Sequence, residues 1–240
     1  MEKKIALITG ATGSIGKEIA LFLSNKEIRI IGTYNTQEEK AKELEEKNDN
    51  IRMFHLDLSN APSISRFVEE VLKNYSHIDF LINNAGIKKD GFLENLEDEE
   101  IKSIIDVNLT NTILLTKKLI PKIKESKGRI INISSISGEY GNIGQANYSS
   151  SKAGLEAFTR SLSKELAKYE ITVNAISPGL IESKMVDSIP KEIKEKLINK
   201  IALKKLGSPR AISELVYFML TNKENYITGQ TIMIDGGLLN

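Results

Sequence analysis

The sequence predicts an α/β fold, a single domain over residues 1–240 built on a doubly wound parallel sheet of about seven strands with helices on both faces. Three observations carry this expectation. Short apolar runs alternate with longer stretches of helical period along the whole chain. The runs are continuous instead of alternately polar, as in strands covered on both faces. A glycine-rich turn joins the first run to the first helical stretch.

In chain order, the runs read as strands go from Ile5 to Thr9, Ile28 to Thr33, Ile51 to His55, Phe80 to Asn83, Arg129 to Ile133, Thr172 to Ser177 and Gln230 to Ile234. The helical stretches between them go from Ile15 to Ser24, Gln37 to Asn48, Ala61 to Tyr75, Asp98 to Lys124, Tyr148 to Tyr169 and Ala211 to Leu220. Ligands of such a sheet lie beyond the carboxyl ends of its strands, so functional residues are expected just after strands. No Pro/Gly/Ser-rich linker or repeat divides the chain. The Lys- and Glu-dense stretches from Glu38 to Lys47 and from Lys191 to Lys200 read as solvated helix faces.

A chain of 240 residues can bury most of its apolar surface in one core. Its 33 basic and 32 acidic side chains nearly cancel, so no global field favours nucleic acid or an anionic membrane. The lack of cysteine excludes disulfides, thiolate catalysis and cysteine-ligated metals. His55 and His77 lie in different segments without a ligand pattern, and no metal is expected. The apolar run near the amino terminus, about five residues, is too short for a signal or a membrane span, so a cytoplasmic location is expected.

The first strand runs through Thr9-Gly10-Ala11-Thr12-Gly13-Ser14-Ile15-Gly16 into a helix. Strand, glycine turn and helix in that order are the context of a Rossmann-type dinucleotide site. Gly10 permits the tight turn, Gly16 permits close helix packing, and the helix amino terminus offers N–H donors and a positive dipole end to a pyrophosphate. Gly10, Thr12, Gly13, Ser14, Ile15 and Gly16 are thus candidate cofactor contacts. The second strand ends in Gly32-Thr33-Tyr34-Asn35 without the acid that grips the ribose 2′-hydroxyl of NAD. NADP, as NADPH, is therefore the expected cofactor, with Thr33 and Asn35 toward its 2′-phosphate, and NAD is not excluded. Asp57 and Leu58, after the third strand, are placed for the adenine edge; alternatively Asp57 caps the next helix.

Tyr148 and Lys152 stand four apart on one helical face. An ammonium beside a phenol favours phenolate, drawing tyrosine's ordinary pKa of about 10 toward the working range of a proton donor in carbonyl chemistry. Lys152 has further donors for a nicotinamide ribose. The fifth strand delivers hydroxyls to its carboxyl end in Asn132-Ile133-Ser134-Ser135. Ser135 can stabilise charge developing on a carbonyl oxygen, and spacing does not separate it from Ser134 or Ser137.

Together these motifs resemble the short-chain dehydrogenase/reductase family: Thr9 to Gly16, Asn83-Asn84-Ala85-Gly86, Asn108, Ser135, Tyr148 with Lys152, and Pro178-Gly179. The resemblance runs from Lys4 to Gly237. It is nearest to the 3-oxoacyl-(acyl-carrier-protein) reductases of bacterial-type fatty acid synthesis, through Gly144 to Tyr148, Ser177 to Ser183, Tyr226 to Gln230 and Asp235-Gly236-Gly237. It implies Tyr148 as general acid, Lys152 as its partner and ribose ligand, Ser135 as carbonyl orienter and Asn108 as anchor of a proton-relay water. It also implies cofactor contacts at Asn84, Ala85, Gly86, Pro178, Gly179, Ile181 and Ser183, with Asn84 bracing the central strand. The chain departs from the family at Ser14, commonly Gly, and at Gly13, where NADP-using relatives often carry a cation.

The implied activity is NADPH-dependent reduction of a carrier-bound 3-oxoacyl thioester to its 3-hydroxyacyl form by a homotetramer. Lys124, Lys127 and Lys168 are the candidate patch for the acidic carrier protein. The Lys-rich segment at about 182–206 reads as a lid over the site. Two rivals remain: a related enzyme acting on another small ketone, sugar or alcohol, with NAD, and a non-catalytic dinucleotide sensor.

Overall fold

The computed structural model of the chain describes residues 3–183, Val186 and residues 189–239. Seven strands form one sheet: β1 (Ile5–Ile8), β2 (Arg29–Tyr34), β3 (Ile51–His55), β4 (Phe80–Asn83), β5 (Arg129–Ile133), β6 (Thr172–Pro178) and β7 (Thr231–Ile234). Their spatial order is β3-β2-β1-β4-β5-β6-β7, and every neighbouring pair is parallel. The order reverses between β1 and β4, so a crevice opens beyond their carboxyl ends.

Strand alternation feeds two separate cores. Ile5 and Leu7 of β1, Leu81 of β4 and Ile130 of β5 join one cluster with Phe67, Leu115, Leu119 and Leu162. Their neighbours Ala6, Ile8, Ile82 and Ile131 face the opposite cluster, with Ile19, Leu23, Ile212 and Val216. Side chains of period two, apolar on both faces, are what helices on both sides of a parallel sheet require. Among the described residues the α-helices are α1 (Ser14–Ser24), α2 (Glu38–Glu46), α3 (Ala61–Asn74), α4 (Asp98–Ile105), α5 (Asn111–Glu125), α6 (Ile136–Tyr140), α7 (Ala146–Leu166), α8 (Lys191–Lys200) and α9 (Pro209–Thr221).

Asn60 caps α3 by accepting from Ser63 N at 3.0 Å. Asp57 therefore is not the cap; its Oδ1 accepts from Ser59 N and Oγ at 2.8 and 2.7 Å, closing a local turn. The single helix expected from Asp98 to Lys124 is two helices, α4 and α5, joined by a wide π turn over Asp106–Thr110. The turn holds the buried Asn108, whose amide bonds the Ile87 backbone, and its wider geometry interrupts the 3.6-residue period on which a single helix is expected. The short helix α6, between Ser135 and Gly141, had no sequence signal of its own length.

Candidate active site

The glycine turn is fixed from both sides. Gly10 has φ +66°, and a Cβ there would stand 3.0 Å from the Ala85 backbone. A Cβ on Gly16 would stand 2.3 Å from Gly10 O and 2.5 Å from Asn84 Nδ2, so only glycine fits. Asn84 Nδ2 donates to Thr9 O at 2.9 Å and to Gly10 O at 3.1 Å, while Thr9 Oγ1 accepts from Asn84 N and Ala85 N. Asn84 thus ties the end of β4 to the turn after β1. Gly13 and Ser14 are exposed at the start of α1, which has no side-chain cap and no acid in its first turn. Its first N–H groups lack intrahelical partners and face no competing carboxylate, which fits the phosphates of a dinucleotide.

Thr33 is spoken for. It is buried, and its Oγ1 accepts from Gly10 N at 3.1 Å, so it braces the turn and is not free for a 2′-phosphate; Asn35 is exposed at the strand end. Leu58 is buried in the core and offers its carbonyl to Asn111 Nδ2 at 2.7 Å. At the carboxyl end of β6, Pro178 closes the strand. Gly179 N donates to Ile234 O at 3.0 Å, and a Cβ on Gly179 would meet Asp235 Cα at 2.8 Å. Ile181 is buried and bridges to Gly207, and Ser183 Oγ accepts from Val186 N at 3.3 Å. Of the segment at 182–206, residues 184, 185, 187 and 188 lie outside the described residues; α8 belongs to the rest.

The four candidate catalytic residues converge beyond β4 and β5. Tyr148 and Lys152 sit in the first two turns of α7, with Lys152 Nζ 5.7 Å from the Tyr148 ring centroid. Lys152 is buried, and its Nζ donates to Ile133 O at 2.9 Å, at the end of β5. The Ser135 side chain stands near enough to the Tyr148 phenol to act on its pKa, in the lowering sense. Asn108 Oδ1 accepts from Ile87 N at 2.8 Å, and its Nδ2 donates to Ile87 O at 2.8 Å and to Ser151 Oγ at 3.1 Å. Gly86 joins them, since a Cβ on it would lie 3.2 Å from Asn108 Oδ1 and 3.5 Å from Lys152 Nζ.

Tertiary structure separates the three serines that spacing left open. Ser134 is buried and donates to Glu156 Oε1 at 2.7 Å, and Ser137 Oγ donates to Gln145 Oε1 at 3.0 Å. Ser135 alone of the three meets Tyr148. The expected lowering of the phenol's pKa by Lys152 does not occur: burial pushes Tyr148 above its ordinary range, opposed by Ser135 and reinforced by Asp90. Lys152 itself is pushed down to about 8, by burial first, with Glu156 acting in the opposite sense. Removal from water dominates both groups.

Two residues to which the sequence assigned no role shape the site, although Gln145 lies in the Gly144 to Tyr148 segment. Gln145, buried ahead of α7, donates to Asp90 Oδ1 at 3.0 Å and accepts from Ser137 Oγ and from Asn142 Nδ2, the latter at 3.3 Å. Together with Gly91 N donating to Gly144 O at 2.8 Å, this joins the loops on either side of Tyr148. Glu156 is a buried acid one turn beyond Lys152; the i, i+4 spacing of the two was the available signal. The candidate carrier lysines do not border this site. Lys124 lies 3.7 Å and Lys168 5.1 Å from the Tyr169 ring, and Lys127 pairs with Glu170, all just ahead of β5 and β6 at the sheet's other end. Lys88 and Lys89 follow the β4 loop instead, paired with Asp90 and Glu100.

Among the described residues no group of acids, histidines and cysteines is arranged to hold a metal, and no helix is long and apolar enough to cross a membrane. A family model described as enoyl-(acyl carrier protein) reductase matches residues 10–239. The 3-oxoacyl-(acyl-carrier-protein) reductase of Thermotoga maritima is 37% identical over 243 residues, covering 100% of this chain and 99% of its own. That of Buchnera aphidicola subsp. Baizongia pistaciae is 42% identical over 240 residues, covering 98% and 97%. Nodulation protein G of Rhizobium sp. (strain N33) is 39% identical over 235 residues, covering 97% and 96%.

Proposed function

The chain belongs to the short-chain dehydrogenase/reductase family, and from that premise we propose that it reduces the 3-oxo group of an acyl thioester on acyl-carrier protein, using NADPH, in fatty acid synthesis. The observation that carries the reading is the gathering of Ser135, Tyr148 and Lys152 at the end of β5, with Lys152 Nζ 5.7 Å from the Tyr148 ring and on the Ile133 carbonyl. Gly10, Thr12, Gly13, Ser14, Ile15 and Gly16 would hold the pyrophosphate, and Lys152 the ribose. When bound, the nicotinamide supplies a hydride to the carbonyl carbon.

The protein's own residues do the rest. Ser135 donates to the carbonyl oxygen and stabilises the charge that gathers on it. Tyr148 gives that oxygen its proton, and its raised pKa keeps the phenol protonated for the purpose. Lys152, positively charged below its pKa of about 8, offsets negative charge left on the phenolate. Asn108, held by Ile87 and Ser151, stands beside Lys152 as the anchor for a relay water. Ile87 and Phe92 after β4, Leu93 in the short turn that follows, Tyr140 at the end of α6 and Ile143 beyond it expose apolar side chains, a rim suited to an acyl chain.

Cytoplasmic location and a homotetramer belong to the same reading, with the edge strand β7 and the long helix α7 as contact elements. A second reading, reduction of a carbon–carbon double bond, follows from the description of the matching family model. Two hydroxyls converging on one oxygen favour the ketone, because double-bond reduction delivers its proton to carbon. Oxidation of NADPH and NADH with acetoacetyl and crotonyl thioesters tests both. Turnover with acetoacetyl thioester and NADPH is expected; turnover with the crotonyl thioester alone overturns the assignment, and turnover with neither returns the site to another carbonyl substrate or to a sensor.

A further inference from the structure

We propose that Glu156 is a positioning residue of this site, a buried counter-charge that holds Lys152 protonated and in place through Ser134. The inference rests on the reductase reading above. Glu156 stands one helical turn beyond Lys152 on α7 and is 6% exposed, although the reaction as derived gives it no part. An ionisable group that deep costs stability unless its surroundings use it. Its Oε1 accepts from Ser134 Oγ at 2.7 Å, and that hydroxyl lies 3.3 Å from the Lys152 carbonyl oxygen. Ser134 is flanked by Ile133, whose carbonyl receives Lys152 Nζ, and by Ser135, which meets Tyr148. One carboxylate therefore fixes both the end of β5 and the turn of α7 that carry the reacting groups.

The charges facing Glu156 come from two elements, α6 and its own helix α7. Burial raises its pKa, as does Glu139 on α6; the Ser134 hydroxyl, Arg160 and Lys152 act the other way. In return Glu156 opposes the burial that pulls Lys152 down to about 8. Without the carboxylate Lys152 would lose its proton at still lower pH, and Tyr148 would lose the cation that stabilises its conjugate base.

The test is Glu156→Gln, which keeps an acceptor for Ser134 and removes only the charge, with Glu156→Ala beside it. For a lowering of about one pH unit, the charged fraction of Lys152 at pH 8 falls from about one half to about one tenth, roughly a fivefold loss in kcat. Near pH 6 the Gln variant is expected within about twofold of the parent, since Lys152 is charged in both. An alkaline limb that stays in place, or a loss equal at all pH values, overturns the proposal. Independently of substrate, the ε-carbon NMR signal of Lys152 in lysine-labelled protein, identified by its disappearance in Lys152→Met, is expected to titrate at lower pH in Glu156→Gln. An unchanged midpoint also overturns the proposal. A parent protein inactive on 3-oxoacyl thioesters would remove the functional reading alone, leaving the titration to decide the role of Glu156.

Discussion

Asn108 meets Ile87 twice, accepting from its N–H and donating to its C=O, each at 2.8 Å. The pair closes the loop after β4 against the π turn, as one rung of a sheet ladder would, and leaves the second amide hydrogen for Ser151 at 3.1 Å. Replacing Asn108 by Ala strands both Ile87 backbone groups and is expected to cost about 2–4 kcal/mol in urea unfolding. Asn108→Asp keeps the acceptor, loses the donor and sets a carboxylate against the Ile87 carbonyl, so it is expected to be no more stable than the Ala variant.

Tyr148→Phe removes the proposed proton donor and leaves the glycine turn untouched. Dinucleotide binding, followed by nicotinamide fluorescence, is expected to stay within about threefold, while kcat drops by about 10²–10⁴. A variant that keeps its turnover would show that the proton comes from elsewhere.

Gly16→Ala places a methyl 2.3 Å from Gly10 O and 2.5 Å from Asn84 Nδ2. Neither neighbour is free to yield, because Asn84 is pinned to Thr9 and Gly10. The strain is expected to lower stability by about 1–3 kcal/mol and to displace α1 enough to weaken dinucleotide binding at least tenfold, by thermal melting and titration respectively.

Lys152 ties stability to pH with a definite sign. Its pKa falls from 10.5 to about 8 on folding, so between these values the unfolded chain binds the extra proton and stability rises with pH. Below pH 8 both states are charged, and burying the ammonium costs about 3 kcal/mol at most. Lys152→Met is therefore expected to be inactive yet more stable than the parent at pH 7, with the advantage fading toward pH 10.5. Denaturation at pH 7 and pH 10 checks this; a variant less stable at pH 7 would contradict it.

The proposed preference for NADPH puts cofactor choice at the exposed end of β2. Asn35→Asp supplies the carboxylate that suits a ribose 2′-hydroxyl and repels a 2′-phosphate. The ratio of kcat/KM for NADPH over NADH is expected to fall by at least about tenfold, a shift of about 1.4 kcal/mol. An unchanged ratio would move phosphate recognition away from Asn35.

By itself the sequence determined the seven-stranded parallel sheet, because continuous apolar runs such as Ile30-Ile31 and Leu81-Ile82 are stable only between two helical layers. It also determined the glycine turn, since Gly10 and Gly16 stand where no Cβ fits. Both follow from local period and backbone sterics, which neighbours along the chain carry. Tertiary structure decided what depends on distant segments meeting: which of Ser134, Ser135 and Ser137 faces Tyr148, and that Thr33 serves Gly10. It also decided that Lys124 and Lys168 gather at the far end of the sheet, and that burial raises the Tyr148 pKa. A side chain's period fixes the face it points to, but its partner and its desolvation are set by segments that folding alone brings together.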